Sequence, residues 1–136
     1  MTKVGWIGLG KLGLPCALAL AEYGGHDVTG YDVSRLPRRI VEGLTPPMQE
    51  IGIEKVLGTK RFGFAGIPGV VSDADIIFVT VQTPHVPEYG GEIPAPGIRR
   101  DFEYAFLVQA CRDVCEEAAR QKKFITLVVS STVLPG

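Results

Sequence analysis

Three cysteines, two histidines and a net charge of −1 leave several function classes without support. Cys16, Cys111 and Cys115 form no disulfide-rich pattern, and so few thiols suit a reducing compartment. Cys111 and Cys115 are one helical turn apart, yet no histidine or further cysteine has matching spacing, so no metal site is expected. A charge this close to zero argues against a general binder of nucleic acid or of anionic membranes. No apolar run approaches the ~20 residues that cross a bilayer. A first strand that begins at Lys3 leaves no room for a signal peptide, and the expected setting is the cytoplasm. No internal repeat, low-complexity tract or domain linker interrupts the chain.

What is present is a core and an alternating pattern. The chain has 136 residues, 46% of them hydrophobic, enough for one domain with a buried sheet. Lys3–Ile7 reads as a strand covered on both faces. From Lys11 to Tyr23 the spacing becomes helical, with Leu12, Cys16, Ala19, Leu20 and Tyr23 as the apolar set and Pro15 near the first turn. Gly24-Gly25 ends that helix, and His26–Tyr31 is a second strand closed by Asp32. Helices are expected at Arg35–Glu42 and Gln49–Leu57, and a short strand at Arg61–Ala65. Ile67–Ser72 is ambiguous because it contains Pro68 and Gly69. Asp75–Val81 is the clearest buried strand. Residues 82–100 are rich in proline and glycine and read as a long loop of a functional or mobile kind. Asp101 reads as the N-cap of a helix reaching Arg120, with Phe102, Ala105, Phe106, Val108 and Val114 as its buried stripe. Phe124–Ser130 is a fifth strand. Strands alternating with helices predict an α/β, Rossmann-like, doubly wound parallel sheet of about five strands with flanking helices.

The chemistry concentrates at the first turn. Gly8, Gly10 and Gly13 form G-x-G-x-x-G between a strand and a helix, a context that gives an otherwise weak motif its force. Gly8 permits a tight turn, Gly10 lets a pyrophosphate reach the backbone, and Gly13 lets the helix pack close to the strand. Leu9, Lys11 and Leu12 complete the loop that would hold the phosphates at a helix N-terminus. Asp32 follows Gly13 by about 20 residues, where a carboxylate accepts from both hydroxyls of the adenosine ribose and repels a 2′-phosphate. NAD is therefore favoured over NADP. A glycine turn without a ligand, beside a solvated Asp32, is the alternative. Arg35 is placed to flank the adenine or its ribose, whereas Arg38 and Arg39 read as a solvated charged face.

Four stretches in order along the chain carry a further resemblance: IGLGKLGLP with Tyr31-Asp32, EGLTPPMQEIGIEKVL at 42–57, VQTP at 81–84 and SSTVLPG at 130–136. Together they resemble the NAD-binding domain of the UDP-glucose/GDP-mannose dehydrogenase family. Ile51 departs from that pattern, which usually has proline after the glutamate, and the 84–100 loop is unusually long. The resemblance implies a double oxidation of a sugar CH2OH to a carboxylate with two NAD⁺, in polysaccharide biosynthesis. It places Thr83 and Thr132 at the carboxyl ends of the fourth and fifth strands, near the nicotinamide ribose or carboxamide, with Thr132 also positioning water or the substrate hydroxyl. A β-branched residue closing a strand is the alternative for each. The family's nucleophilic cysteine and sugar-nucleotide domain lie beyond this stretch. Residues 1–136 are thus expected to be an incomplete Rossmann domain, lacking the second domain that brings the nucleotide-sugar substrate and inactive alone. Uncovered sheet surface would make it marginally stable or a homodimer.

Other residues attract plainer readings. Cys111 and Cys115 are expected to be buried small side chains, and Cys16 to pack against the sheet. His26 occupies a turn; His85 is an exposed loop histidine or faces substrate. Glu50 orders the segment near the cofactor or serves a helix start. Two alternatives remain open beside the leading one. The first is a 3-hydroxyacid dehydrogenase of the 3-hydroxyisobutyrate or 6-phosphogluconate kind. The second is a non-catalytic NAD(H)-binding module.

Overall fold

A computed structural model describes residues 1–43, 52–85 and 101–134. The expected helix start at Gln49, Glu50, Ile51, most of the 84–100 loop and the final Pro135-Gly136 lie outside the described residues.

Five parallel strands form one sheet in the order β3-β2-β1-β4-β5. They are β1 (Lys3–Ile7), β2 (Asp27–Tyr31), β3 (Phe62–Phe64), β4 (Ile76–Val79) and β5 (Thr126–Val129). Among the described residues four α-helices flank them: α1 (Gly13–Glu22), α2 (Leu36–Gly43), α3 (Ile67–Asp73) and α4 (Ala105–Arg120), with a 3-10 turn at Ile53–Lys55. The doubly wound parallel architecture read from the alternation is the one observed. Ile67–Asp73 resolves as helix because Pro68 falls in its first turn, where a missing N–H costs nothing.

Strand β1 is central and buried after Lys3. Its side chains divide between two cores, as alternation in a strand requires. Val4 and Trp6 join Leu14, Ala17, Leu18, Ala21 and Val28 on one face. Ile7 joins Val70, Val71, Ile77, Val79 and Val114 on the other. Gly5 is part of the second face by default: a Cβ there would come within 2.7 Å of Val70 Cγ1 and 2.9 Å of Ile77 Cγ1. The absent side chain is what lets α3 rest directly on β1. Among the described residues no helix is long and apolar enough to cross a membrane.

Several expectations about the helices are corrected. Helix α1 buries Gly13, Leu14, Ala17, Leu18 and Ala21, not the Leu12–Cys16–Tyr23 stripe. Leu12 and Tyr23 are 59% and 70% exposed, and Cys16 is exposed. The helix is rotated because Gly13, at its start, is seated under Gly8. That fixes the small side chains at 17 and 21 against the sheet.

Helix α4 starts at Ala105, not at Asp101. The Asp101 carboxylate accepts locally, from the Phe102 N–H at 2.7 Å and the Tyr104 hydroxyl. The Glu103 N–H is drawn to Pro84 O at 2.8 Å. These bonds hold 101–104 in a non-helical approach. The buried stripe is then Leu107, Ala110, Val114 and Ala118, while Ala105, Phe106 and Val108 face outward and Phe102 is half-buried. Cys111 is only half-buried and Cys115 exposed, so neither is the fully buried small side chain expected.

Strand β5 is shorter than Phe124–Ser130, and Phe124 itself is 89% exposed.

Candidate functional site

The chain leaves β1 toward one face of the sheet and β4 toward the other. The crevice between their carboxyl ends is where open α/β sheets hold ligands. Each of the three glycines has its own reason to be there. Gly8 turns with φ +89°, and a Cβ on it would lie 2.9 Å from the Thr80 carbonyl carbon and the Val81 nitrogen. A Cβ on Gly13 would stand 2.0 Å from Gly8 O. Gly10 is the opposite case: a Cβ there meets no atom within 4 Å. Packing does not demand that glycine, and the open space beside its backbone is what an approaching phosphate needs.

Helix α1 begins at this space without a side-chain cap and without an acid in its first turn. The Leu14 N–H bonds back to Gly10 O at 3.1 Å, so the N–H groups before it have no intrahelical acceptor. They supply donors and the positive end of the helix dipole. Donor chemistry and space together fit a dinucleotide pyrophosphate.

Asp32 closes the other side. Its Oδ2 accepts from the Leu9 N–H and its Oδ1 from the Ser34 N–H, both at 2.7 Å. A carboxylate has about four acceptor sites, so roughly half its capacity is left for ribose hydroxyls. The same bond shows what Leu9 does. Its N–H is spent on Asp32, and its side chain is buried, reaching across Gly30. Leu9 thus ties the loop to β2. Lys11 and Leu12 are exposed at the helix start, and Arg35 is exposed ahead of α2. Arg38 lies over the Phe64 ring, 5.0 Å from its centroid, and 3.7 Å from Glu42. Those contacts belong to a surface helix face.

A residue that sequence reasoning passed over holds the loop. The Trp6 indole N–H donates to Thr80 Oγ1 at 2.8 Å, and the Thr80 hydroxyl donates to Gly8 O at 2.6 Å. One hydroxyl therefore joins β1, β4 and the glycine turn. The available signal was a lone hydroxyl in the otherwise apolar end of DIIFVTV. Thr83, by contrast, is half-buried and Thr132 exposed, and neither lines the crevice. Ser131, beside Thr132, donates to Val81 O at 2.8 Å and clasps the end of β5 to the wall of the site.

The crevice is a cleft of about 320 Å³. Gly8, Gly10, Asp32 and Thr80 line it together with Ile67 and Val81, and α4 closes it with Phe106, Gln109, Ala110 and Asp113. No cysteine lines it among the described residues. Burial, reinforced by Cys115, pushes the Cys111 thiol up, which works against a thiolate there. His85 is exposed, and His26 Nδ1 accepts weakly from the Thr2 N–H at 3.4 Å. No group of three or more potential metal ligands occurs among the described residues.

Residues 2–136 match the profile described as the UDP-glucose/GDP-mannose dehydrogenase family, NAD binding domain. GDP-mannose 6-dehydrogenase of Pseudomonas aeruginosa is 29% identical over 139 aligned residues, which cover 98% of this chain and 29% of that protein. UDP-N-acetyl-D-mannosamine dehydrogenase of Pyrococcus horikoshii is 26% identical, with coverage of 98% and 29%. The structure of a UDP-glucose dehydrogenase from Pyrobaculum islandicum superposes with a TM-score of 0.82 at 28% identity, over 100% of this chain and 30% of that one. The chain thus spans less than a third of the length of these relatives.

Proposed function

The chain belongs to the UDP-glucose/GDP-mannose dehydrogenase family as an NAD-binding domain, and from that premise we propose that it is the cofactor-holding portion of an enzyme oxidising the CH2OH of a UDP- or GDP-sugar to a carboxylate. Its cofactor is NAD. The observation that carries the reading is the pairing of open space at Gly10, under an uncapped helix N-terminus, with the Asp32 carboxylate across the same cleft. The first suits a pyrophosphate, and the second suits a ribose without a 2′-phosphate.

In this reading Gly8, Gly10, Lys11, Leu12 and Gly13 surround the phosphates, with Leu9 and Thr80 fixing their loop. Arg35 is assigned to the adenosine end, and family resemblance alone assigns Thr83 and Thr132, which lie outside the cleft lining, to the nicotinamide end. Hydride transfer needs the sugar carbon held close to the nicotinamide, and the second oxidation needs a positioned nucleophile. Among the described residues the cleft lining contains no cysteine to serve as one. The 136 residues are therefore proposed to hold NAD without turning over substrate, which reaches the site through a second domain. Exposed Val129, Val133 and Leu134, at and beyond the carboxyl end of β5, offer that domain, or a second copy of the chain, apolar side chains to cover. A cytoplasmic setting is part of the same proposal.

Calorimetry tests the cofactor assignment. NAD⁺ or NADH should bind more tightly than the phosphorylated forms, and equal or tighter binding of NADP⁺ would refute the role given to Asp32. NADH formation from a panel of UDP- and GDP-sugars tests the rest. Robust turnover by the 136-residue chain would show a complete active site and overturn the assignment to a cofactor-holding portion.

A further inference from the structure

With phosphates beside Gly10 and a ribose at Asp32, the adenine base is left for the wall that α4 supplies. Phe106, Gln109, Ala110 and Asp113 stand at i, i+3, i+4 and i+7, a single helical stripe, and all four line the cleft. Phe106 is 63% exposed, and across the cleft Val33 is 91% exposed. Two large apolar side chains left open on opposing elements suit the faces of a flat ring. The same stripe carries a polar pair: Gln109 Nε2 donates to Asp113 Oδ1 at 2.6 Å.

That bond determines which atoms the pair offers. An ionised carboxylate only accepts, so it draws the amide nitrogen of Gln109 toward itself and turns Oε1 away. The pair then presents two acceptors, Gln109 Oε1 and the remaining Asp113 oxygen. We propose that Gln109 and Asp113 form an adenine-reading pair that accepts the exocyclic N6 amino group of the dinucleotide. A purine with oxygen at C6 would bring an acceptor against acceptors and be disfavoured. The plainer role for a glutamine and an aspartate one turn apart is mutual support on a solvent-facing helix. Here, however, the pair occupies the stripe that faces the cleft.

The proposal rests on the NAD reading above, and the test separates the two. Calorimetry compares NAD⁺ with nicotinamide hypoxanthine dinucleotide, which carries oxygen in place of the 6-amino group. The wild-type chain should prefer NAD⁺ by on the order of tenfold. Asp113→Asn places an amide donor in the pair and should collapse or reverse that ratio, an effect that mere support of the helix would not produce. Gln109→Ala should narrow it. Equal binding of the two dinucleotides by the wild-type chain, or an unchanged ratio in both variants, overturns the proposal and leaves NAD binding intact. Binding of neither dinucleotide overturns both.

Discussion

Thr80→Val isolates the bond that holds the glycine turn. Valine keeps the volume and the β-branch, so no cavity opens, and only the hydroxyl is lost. The Trp6 indole N–H, on a side chain 6% exposed, loses its acceptor, and Gly8 O loses its donor. A buried group left unpaired costs about 1–3 kcal/mol. One such group plus one lost hydrogen bond, itself worth about 0.5–1.5 kcal/mol, amounts to about 2–4 kcal/mol. For a domain of this size that lowers the melting temperature by roughly 6–20 °C. NAD⁺ affinity should fall as well, because binding must then order the turn. Thr80→Ser retains the hydroxyl and removes a methyl group worth about 1 kcal/mol, so it should recover most of both losses. Calorimetric melting with an NAD⁺ titration of all three proteins decides the matter. A valine variant as stable as wild type, or a serine variant that falls as far as valine, would refute the reasoning.

The glycines should separate by mechanism. Gly10→Val projects into open space, so dinucleotide binding should disappear while circular dichroism and melting stay near wild type; retained affinity would put the phosphates elsewhere. Gly13→Ala drives a Cβ onto Gly8 O and should lower stability by about 2–4 kcal/mol in a denaturant titration. Asp32→Ala should narrow the preference for NAD⁺ over NADP⁺. It should also cost about 1–3 kcal/mol, because the Leu9 N–H loses a charged acceptor; an unaltered preference would remove Asp32 from the ribose site. On α4, hydrogen bonds from Arg120 and then Gln121 hold the Glu117 carboxyl down at about 2, against an ordinary 4.5. The folded value is the depressed one, so this contribution is complete above pH 4.5 and is lost as pH falls toward about 2. A carbon-13 titration of the carboxyl in Arg120→Gln should show it moving up toward its ordinary value.

The parts of the fold that declare themselves in sequence are the ones specified locally. A short apolar run, three spaced glycines, a helical pattern and an acid at the next strand end lie within the first 32 residues. Each is set by neighbours along the chain. What sequence reading missed depends on contacts between distant segments. Apolar spacing gives α1 a stripe, but the seat of Gly13 under Gly8 selects which of two adjacent stripes turns inward. On α4, Phe106 looks like core because it is large and apolar; it is exposed because it borders the cleft. Asp101 looks like a cap, yet its carboxylate is taken by Phe102 and Tyr104. Thr80 gains its role from the parallel register of β1 with β4, where Ile7 lies opposite Val79 and Gly8 comes next. Nothing within seven residues of Thr80 announces a partner more than seventy positions away.

Trp6 is the chain's single tryptophan. It stacks on Phe78 with ring centroids 4.8 Å apart, and its N–H is one bond removed from the turn that receives the phosphates. Its fluorescence therefore has one origin and one environment. A buried indole emits toward the blue, and any shift of the Gly8 turn must alter its hydrogen bond. Reduced nicotinamide absorbs where tryptophan emits, so bound NADH also becomes an energy-transfer acceptor for the same residue. The chain carries an optical gauge of its own cofactor loop, and occupancy can be followed by quenching of Trp6 without a label or a coupled reaction.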